Sequence, residues 1–321
     1  MNRRASVLVV TALAMSAAMT EGAGVSAART RFKSENPFAM AGLRDYLAGR
    51  GGNIAAAAYD VNTGRTYLYR PGVRLETASI IKVNILATLL RERQGPGGLS
   101  AQEIGVAQGM IEASDNHDAT DLWNTEGGAP AVAAFDAQAG MTETTPNLAW
   151  GLTTTTPRDQ LKLLRLVMLP NHLLSTSSRV FEYELMRNII PSEAWGVSGG
   201  VPPGALVALK NGWLPFGGGW HVNSIGQVVG FGRRYLLAVM TDSDPTEGYG
   251  IDTIQHISAA VWHALKLRTL DKLILPKRHR RRVPICCGDG RRARPKAAGK
   301  GARSDRGGAR GTHGRRAAGV R

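Results

Sequence analysis

Three short clusters of polar residues carry side chains whose types could perform acyl transfer. The first is Thr77-Ala78-Ser79-Ile80-Ile81-Lys82, with Ser79 and Lys82 three residues apart. Apolar residues recur around it at Ile80, Val83, Leu86 and Leu90, the spacing of an amphipathic helix that starts near Ser79. On a helix, positions i and i+3 share a face, so Lys82 lies on the side of Ser79. A serine hydroxyl is a weak nucleophile until a base takes its proton, and a desolvated lysine near other cations can be that base. The helix N-terminus adds positive potential and free N–H groups near the attacking oxygen. The same residues also read as an N-cap serine followed by a surface lysine, since Ser-x-x-Lys recurs by chance.

Ser114-Asp115-Asn116 stands between two helical segments, and Lys210-Asn211-Gly212-Trp213 stands at the end of a strand. Taken singly, the first is a capping turn and the second a strand end with an exposed lysine. Taken in order on a helix start, an interhelical loop and a strand edge, the three clusters form one candidate site.

The elements that must position these clusters follow from residue spacing. Pro37–Arg50 is a short helical segment, and Asn53–Arg70 is two strands around the turn Asp60-Val61-Asn62-Thr63-Gly64. Helices are expected over Ser79–Arg93, Ala101–Glu112, Ala119–Trp123, Pro130–Ala139, Pro157–Leu169 and Ser178–Asn188. Strand character returns at Ala205–Leu209, His221–Phe231 and Tyr235–Thr241, before a last helix over about Thr253–Leu267. Strands at both ends and helices between them predict an α+β fold, with an antiparallel sheet beside a helical block.

The 321-residue chain is 43% hydrophobic and 20% charged, an ordinary globular balance, so its +15 charge must be placed before it is interpreted. Residues 277–321 hold 16 Lys/Arg against Asp289 and Asp305, which leaves residues 1–276 with a net +1. The high charge therefore belongs to a tail rich in Arg, Gly and Ala and without aromatic residues, expected to be disordered. Such a tail could hold an acidic polymer or be an extension without function, and its composition names no partner. Residues 1–27 read as a secretory signal peptide: Arg3 and Arg4, the apolar run Val7–Ala18, then Val25-Ser26-Ala27 as a small-residue cleavage site. A secreted, extracytoplasmic body over residues 28–276 with no stable membrane span is the expectation. Cys286 and Cys287 are the only cysteines, so that body rests on its hydrophobic core rather than on disulfides.

Ser-x-x-Lys, Ser-Asp-Asn and Lys-Asn-Gly in this order resemble the signature of class A β-lactamases and other penicillin-recognising serine hydrolases. Thr153-Thr154-Thr155-Thr156-Pro157 resembles that family's Thr-Thr-Pro segment, and the likeness spans about residues 37–268. It implies a β-lactamase/transpeptidase-like fold: a five-stranded antiparallel sheet flanked by helices, plus an all-helical subdomain. It also implies that Ser79 attacks a lactam or D-alanyl amide carbonyl, Lys82 accepts its proton, and Ser114 relays a proton to the leaving nitrogen. By the same likeness Asn116 orients Lys82 and holds the substrate amide. Lys210 faces the substrate carboxylate, and Asn211 donates to it in place of a hydroxyl. Gly212 lets the strand edge approach, while the N–H groups of Ser79 and Trp213 form an oxyanion hole. The implied partner is a β-lactam or a peptidoglycan stem peptide, met by a monomer with no metal and no cofactor.

Three departures separate the chain from that pattern, the first being Asn211 where the family's Lys-Thr-Gly has threonine. The interval from Ser79 to Ser114 is short, and the family's omega-loop Glu-x-x-Leu-Asn is absent between Gly140 and Thr153, where Glu143 is the only acid. Acylation is thus expected more firmly than hydrolysis, leaving a β-lactamase, a D-alanyl-D-alanine-type peptidase, a related esterase or amidase, or a penicillin-binding module. A rival triad begins at Gly196-Val197-Ser198-Gly199-Gly200 with Asp242, Asp252 and His256 following, but Val201-Pro202-Pro203-Gly204 does not supply the helix that such an elbow needs. The histidines show no metal-ligand spacing, and nucleic-acid binding would rest on the tail alone, so no nucleic acid is expected.

Overall fold

The computed structural model describes residues 35–265; the expected signal peptide, the basic tail and both cysteines lie outside them. After a helix α1 (Ala41–Ala48), strands β1 (Asn53–Asp60) and β2 (Arg65–Tyr69) form a hairpin. A two-residue strand β3 (Leu75–Glu76) leads through one tight turn into α2 (Ile81–Glu92). Then come α3 (Ala101–Glu112), α4 (Asn116–Thr125), α5 (Gly128–Ala139), the short β4 (Thr154–Thr155), α6 (Pro157–Met168) and α7 (Thr176–Arg187). Strands β5 (Leu206–Phe216), β6 (Gly219–Gly230) and β7 (Arg233–Asp244) and helix α8 (Glu247–Ala264) complete the order.

The sheet runs β2-β1-β7-β6-β5 with every pairing antiparallel, so the first and last strands among the described residues meet at its centre. This is the expected α+β arrangement, with five strands and a contiguous helical block. Because side chains alternate across a strand, the sheet divides two cores. Ala57, Leu236, Ala238 and Met240 face the helical block, whereas Ala56, Ala58, Leu237 and Val239 face α8 and α1. Both faces are covered, which explains why Ala55–Ala58 are all fully buried.

Two expectations change. Helix α2 is not amphipathic: every residue from Ile81 to Leu90 is buried, including Lys82, Asn84 and Thr88. It packs against α3, α4, α5 and α7 and shares a hydrophobic core with Ala57, Ile225 and Leu236 of the sheet, so no side of it reaches water. Its polar residues survive because they are bonded; Asn84 donates to Asp136 at 2.8 Å and Thr88 to the Asn84 carbonyl at 2.8 Å. Helix α8 begins at Glu247, well before Thr253, because Thr246 caps it by accepting from Tyr249 N–H.

Candidate active site

Ser79 sits in the tight turn between β3 and α2, half-buried, and the turn is fastened on three sides. Thr77 N–H donates to Thr153 O at 2.8 Å, and Asn223 of β6 donates to Glu76 O at 2.9 Å and Thr77 O at 3.0 Å. On the third side lies Gly212, where an added Cβ would fall 2.5 Å from Ser79 N and 2.7 Å from Ile80 N. Only glycine lets the β5 edge lie this close. Ala78 just before the nucleophile has φ +46°, a left-handed backbone that costs a side-chain-bearing residue on the order of 1–3 kcal/mol. The surrounding bonds hold that strain in place.

Beneath this turn the two lysines meet at one hydroxyl. Lys82 is fully buried and donates to Ser114 O at 2.6 Å, Asn116 Oδ1 at 2.8 Å and Ser114 Oγ at 3.3 Å. Lys210, 1% exposed, donates to Ser114 Oγ at 2.8 Å and to Asn211 O at 3.1 Å. Ser114 reaches both because its own φ is +57°, which swings its carbonyl and hydroxyl out of the α3–α4 turn. Asp115 then caps α4 through Asp118 N–H at 2.9 Å, leaving Asn116 in the first turn beside Lys82. The interhelical turn is thus both a cap and the mount for two polar groups.

Burial and proximity set the charges. Desolvation first, and Lys210 second, pull the Lys82 ammonium down to about 7. Desolvation pulls Lys210 down to about 8, against the opposing pull of Glu193. Near neutral pH a neutral amine and an ammonium can therefore share the Ser114 hydroxyl, one able to accept a proton and the other to hold an anion.

Of the residues expected from sequence, Lys82, Ser114, Asn116 and Lys210 form one bonded cluster, and Gly212 abuts the Ser79 turn. Asn211 is a correction. Its side chain alternates to the opposite face of β5 from Lys210, is 1% exposed, and donates to Glu193 O at 2.7 Å and Trp195 O at 3.2 Å. It braces the 193–195 segment rather than presenting a donor to a ligand. Trp213 is half-buried and its ring packs edge-on against Trp195 at 5.7 Å.

Two neighbours of the cluster escaped the sequence reading. Trp150, in a single turn ahead of β4, lies with its ring centroid 5.1 Å from Lys82 Nζ and donates to Thr120 Oγ1 at 3.3 Å. Glu193 ends a Pro191–Glu193 turn and is buried near both lysines. Neither has a spacing signal, since each reaches the site from a distant part of the chain. Glu143 stands apart, ion-paired with Arg158 at 2.5 Å and accepting from Thr156 Oγ1 at 2.7 Å. Ser198 donates to Ala194 O, His256 stacks flat on Tyr46, and Asp242 accepts from Asn53, so these three members of the rival triad are engaged elsewhere, and Asp252 lies exposed on α8. His117 is exposed beside Asp121, and no cluster of three or more metal-binding side chains occurs among the described residues.

Comparison with known proteins agrees with this architecture. The fold matches a class A β-lactamase from Mycobacterium abscessus, at TM-score 0.60 and 23% identity over 70% of this chain and 97% of that one. It also matches PBP-A, at TM-score 0.59 and 22% identity over 70% and 94% of the two chains. In sequence, "Putative lipoprotein LppW" of Mycobacterium tuberculosis is 25% identical over 217 residues, 64% of this chain and 68% of its own length. Residues 93–265, which include Ser114, Asn116 and Lys210 and begin after Lys82, match the profile of the Beta-lactamase enzyme family. The fold is the β-lactamase/transpeptidase-like one, and the chain belongs to the Beta-lactamase enzyme family.

Proposed function

We propose that this protein is an exported serine acyl-transfer enzyme that opens β-lactam or related amide bonds through an acyl-enzyme on Ser79. The observation that carries this reading is the Ser114 hydroxyl, held by Lys82 at 3.3 Å and Lys210 at 2.8 Å beneath the Ser79 turn. Neutral Lys82 takes the Ser79 proton as Oγ adds to the carbonyl carbon, and the backbone N–H groups of Ser79 and Trp213 receive the oxyanion. The C–N bond then breaks, the nitrogen receives a proton relayed through Ser114, and the acyl group stays on Ser79. Lys210 supplies the charge that attracts a substrate carboxylate, and Asn116 fixes Lys82. A peptidoglycan stem peptide ending in D-alanyl-D-alanine offers the same carbonyl and carboxylate.

A second reading, a penicillin-binding module or peptidase with little turnover, draws on one specific observation. The aromatic face of Trp150 lies near Lys82, while Glu143 is tied to Arg158, so neither supplies a free carboxylate to activate a hydrolytic water. Export rests on the signal-peptide pattern over residues 1–27 and on the name of the mycobacterial relative. No helix among the described residues is long and apolar enough to cross a membrane. The body is assigned to residues 28–276 as a monomer, followed by the basic tail over 277–321.

Incubation with a fluorescent penicillin followed by mass spectrometry tests these readings. A Ser79 adduct that disappears within minutes means a β-lactamase, and one that persists for hours means a binding protein or slow peptidase. The absence of an adduct would refute acyl-serine chemistry on this substrate class.

A further inference from the structure

Behind the lysine cluster, on the helical-block face of the sheet, β6, β7, α6 and α7 border a cleft of about 320 Å³ that the acylation steps leave unused. Gln227 of β6 lies at its base, two residues along the strand from Ile225, the register partner of Lys210, and on the same face. The walls are apolar, with Val167 of α6, Val180 and Tyr183 of α7 and Val229 of β6. The polar groups are Gln227, Arg179 of α7 and Arg234 of β7, and among the described residues no carboxylate lines the cleft.

What these polar groups lack is an acceptor. Gln227 is 3% exposed and its Nε2 donates to nothing. Arg179 Nε is buried and donates to nothing either, while its Nη2 donates to Thr176 Oγ1 at 3.0 Å. Arg234 is exposed at the mouth and reaches the Met168 carbonyl only at 3.5 Å, at the limit of a hydrogen bond. Folded proteins rarely leave a buried donor unpaired. Elsewhere among the described residues the unpaired buried atoms are mainly carboxylate and amide oxygens, and the one other unpaired nitrogen, His221 Nδ1, faces the Glu76 carboxylate at 3.0 Å. Two nitrogen donors without an acceptor therefore meet at this one cleft, beside a third cation.

We infer that the cleft is a binding site for a small organic anion, a carboxylate carried on an apolar or aromatic body. The carboxylate takes the guanidinium groups of Arg234 and Arg179 and the Gln227 amide as donors, and the body lies against Val180, Tyr183 and Val229. Guanidinium groups pair with carboxylates through two parallel bonds, and an apolar cleft with a few converging polar groups is the usual form of a small-molecule site. Binding there needs no acyl-serine chemistry.

Titration of the isotope-labelled full chain with phenylbutyrate, followed by NMR, tests this. Saturable shifts are expected at the Gln227 side-chain amide and at the Val180 and Val229 backbone signals. Phenylbutyramide, which has the same body and no charge, should bind about tenfold more weakly or less. Arg179→Gln and Arg234→Gln should each weaken phenylbutyrate binding about tenfold, whereas Arg44→Gln, which removes an exposed charge from α1 across the sheet, should leave it unchanged. No saturable shift up to the solubility limit of phenylbutyrate, equal binding of the amide, or undiminished binding in either arginine variant would each overturn the inference. Because Arg234 is exposed, Arg234→Gln keeps the result readable should Arg179→Gln fail to fold.

Discussion

Two regions of this molecule bury ionisable groups, and they do so differently. At the seam between α2, the α3–α4 turn and β5, Lys82 and Lys210 make five hydrogen bonds between them, three of which end on Ser114. Inside the helical block, Glu182 is buried with no hydrogen bond at either carboxylate oxygen and Glu126 has at most a weak contact with the Leu89 backbone, and burial pushes both upward. Desolvation shifts the groups in each region, so a displaced pKa alone does not mark a functional site. What marks the seam is convergence. Its shifted groups are opposite in role, bonded to one hydroxyl, and placed beneath a half-buried serine that follows the strained Ala78. Burial shifts Glu126 and Glu182 towards the neutral form in a hydrophobic setting, with no second shifted group bonded to either.

The largest effects should come from the seam. Ser79→Ala removes the attacking oxygen and should abolish labelling by penicillin. Lys82→Met keeps the volume and should slow acylation by about 10² to 10⁴, the usual contribution of a positioned base. Intact mass after timed labelling measures both. A Lys82→Met variant that acylates at the unmodified rate would break the comparison, because a bonded lysine at the seam would then be as inert as Glu182.

Acylation should also have a narrow pH window. The base form of Lys82 grows above about 7 and the charged form of Lys210 declines above about 8, so the rate should peak between these values and fall on both sides. A stopped-flow pH profile that rises without a maximum to pH 10 would show that Lys210 needs no charge.

In the proposed cycle hydrolysis is the weaker half, and Trp150 is where it can be altered. Trp150→Glu places a carboxylate near Lys82 where the ring now lies, and loss of the acyl group from Ser79 should speed up about tenfold or more, well short of the full 10² to 10⁴ of an evolved base. Label half-life reports this directly. An unchanged half-life in a folded variant would mean that water is limited elsewhere.

Much of this was legible in the sequence for a physical reason. Ser79, Lys82, Ser114 and Asn116 lie within two local motifs, and local spacing fixes which side chains share a helix face or a turn. The sheet was legible too, because β-branched runs with glycine punctuation marked its late strands. Trp150 and Glu193 were not, since each meets the lysines only after β4 and β5 have docked. The burial of α2 on all sides was also hidden. Lys82, Asn84 and Thr88 interrupt its apolar run, and only the folded partners reveal that they are satisfied inside. Asn211 was misjudged because strand alternation turns its amide away from Lys210, which the motif alone does not express.

The smallest effect expected is on stability, and it isolates the other region. Burial raises Glu126 to about 10, whereas an unfolded glutamate titrates near 4.3. Between these values the folded state holds a proton that the unfolded chain releases, so Glu126 lowers stability progressively as pH rises above about 4.3. Glu126→Gln supplies a neutral side chain of the same shape and removes that linkage. Its stabilising effect should be near zero at pH 4, grow with pH, and reach at least about 1 kcal/mol at pH 8, or about 2–4 °C in Tm for a body of this size. Thermal melts of both proteins at pH 4, 6 and 8 measure it, while penicillin labelling should be unchanged. A constant difference in Tm across pH would mean that Glu126 is ionised in the fold, and the contrast between a bonded seam and unpaired, neutral carboxyls would collapse.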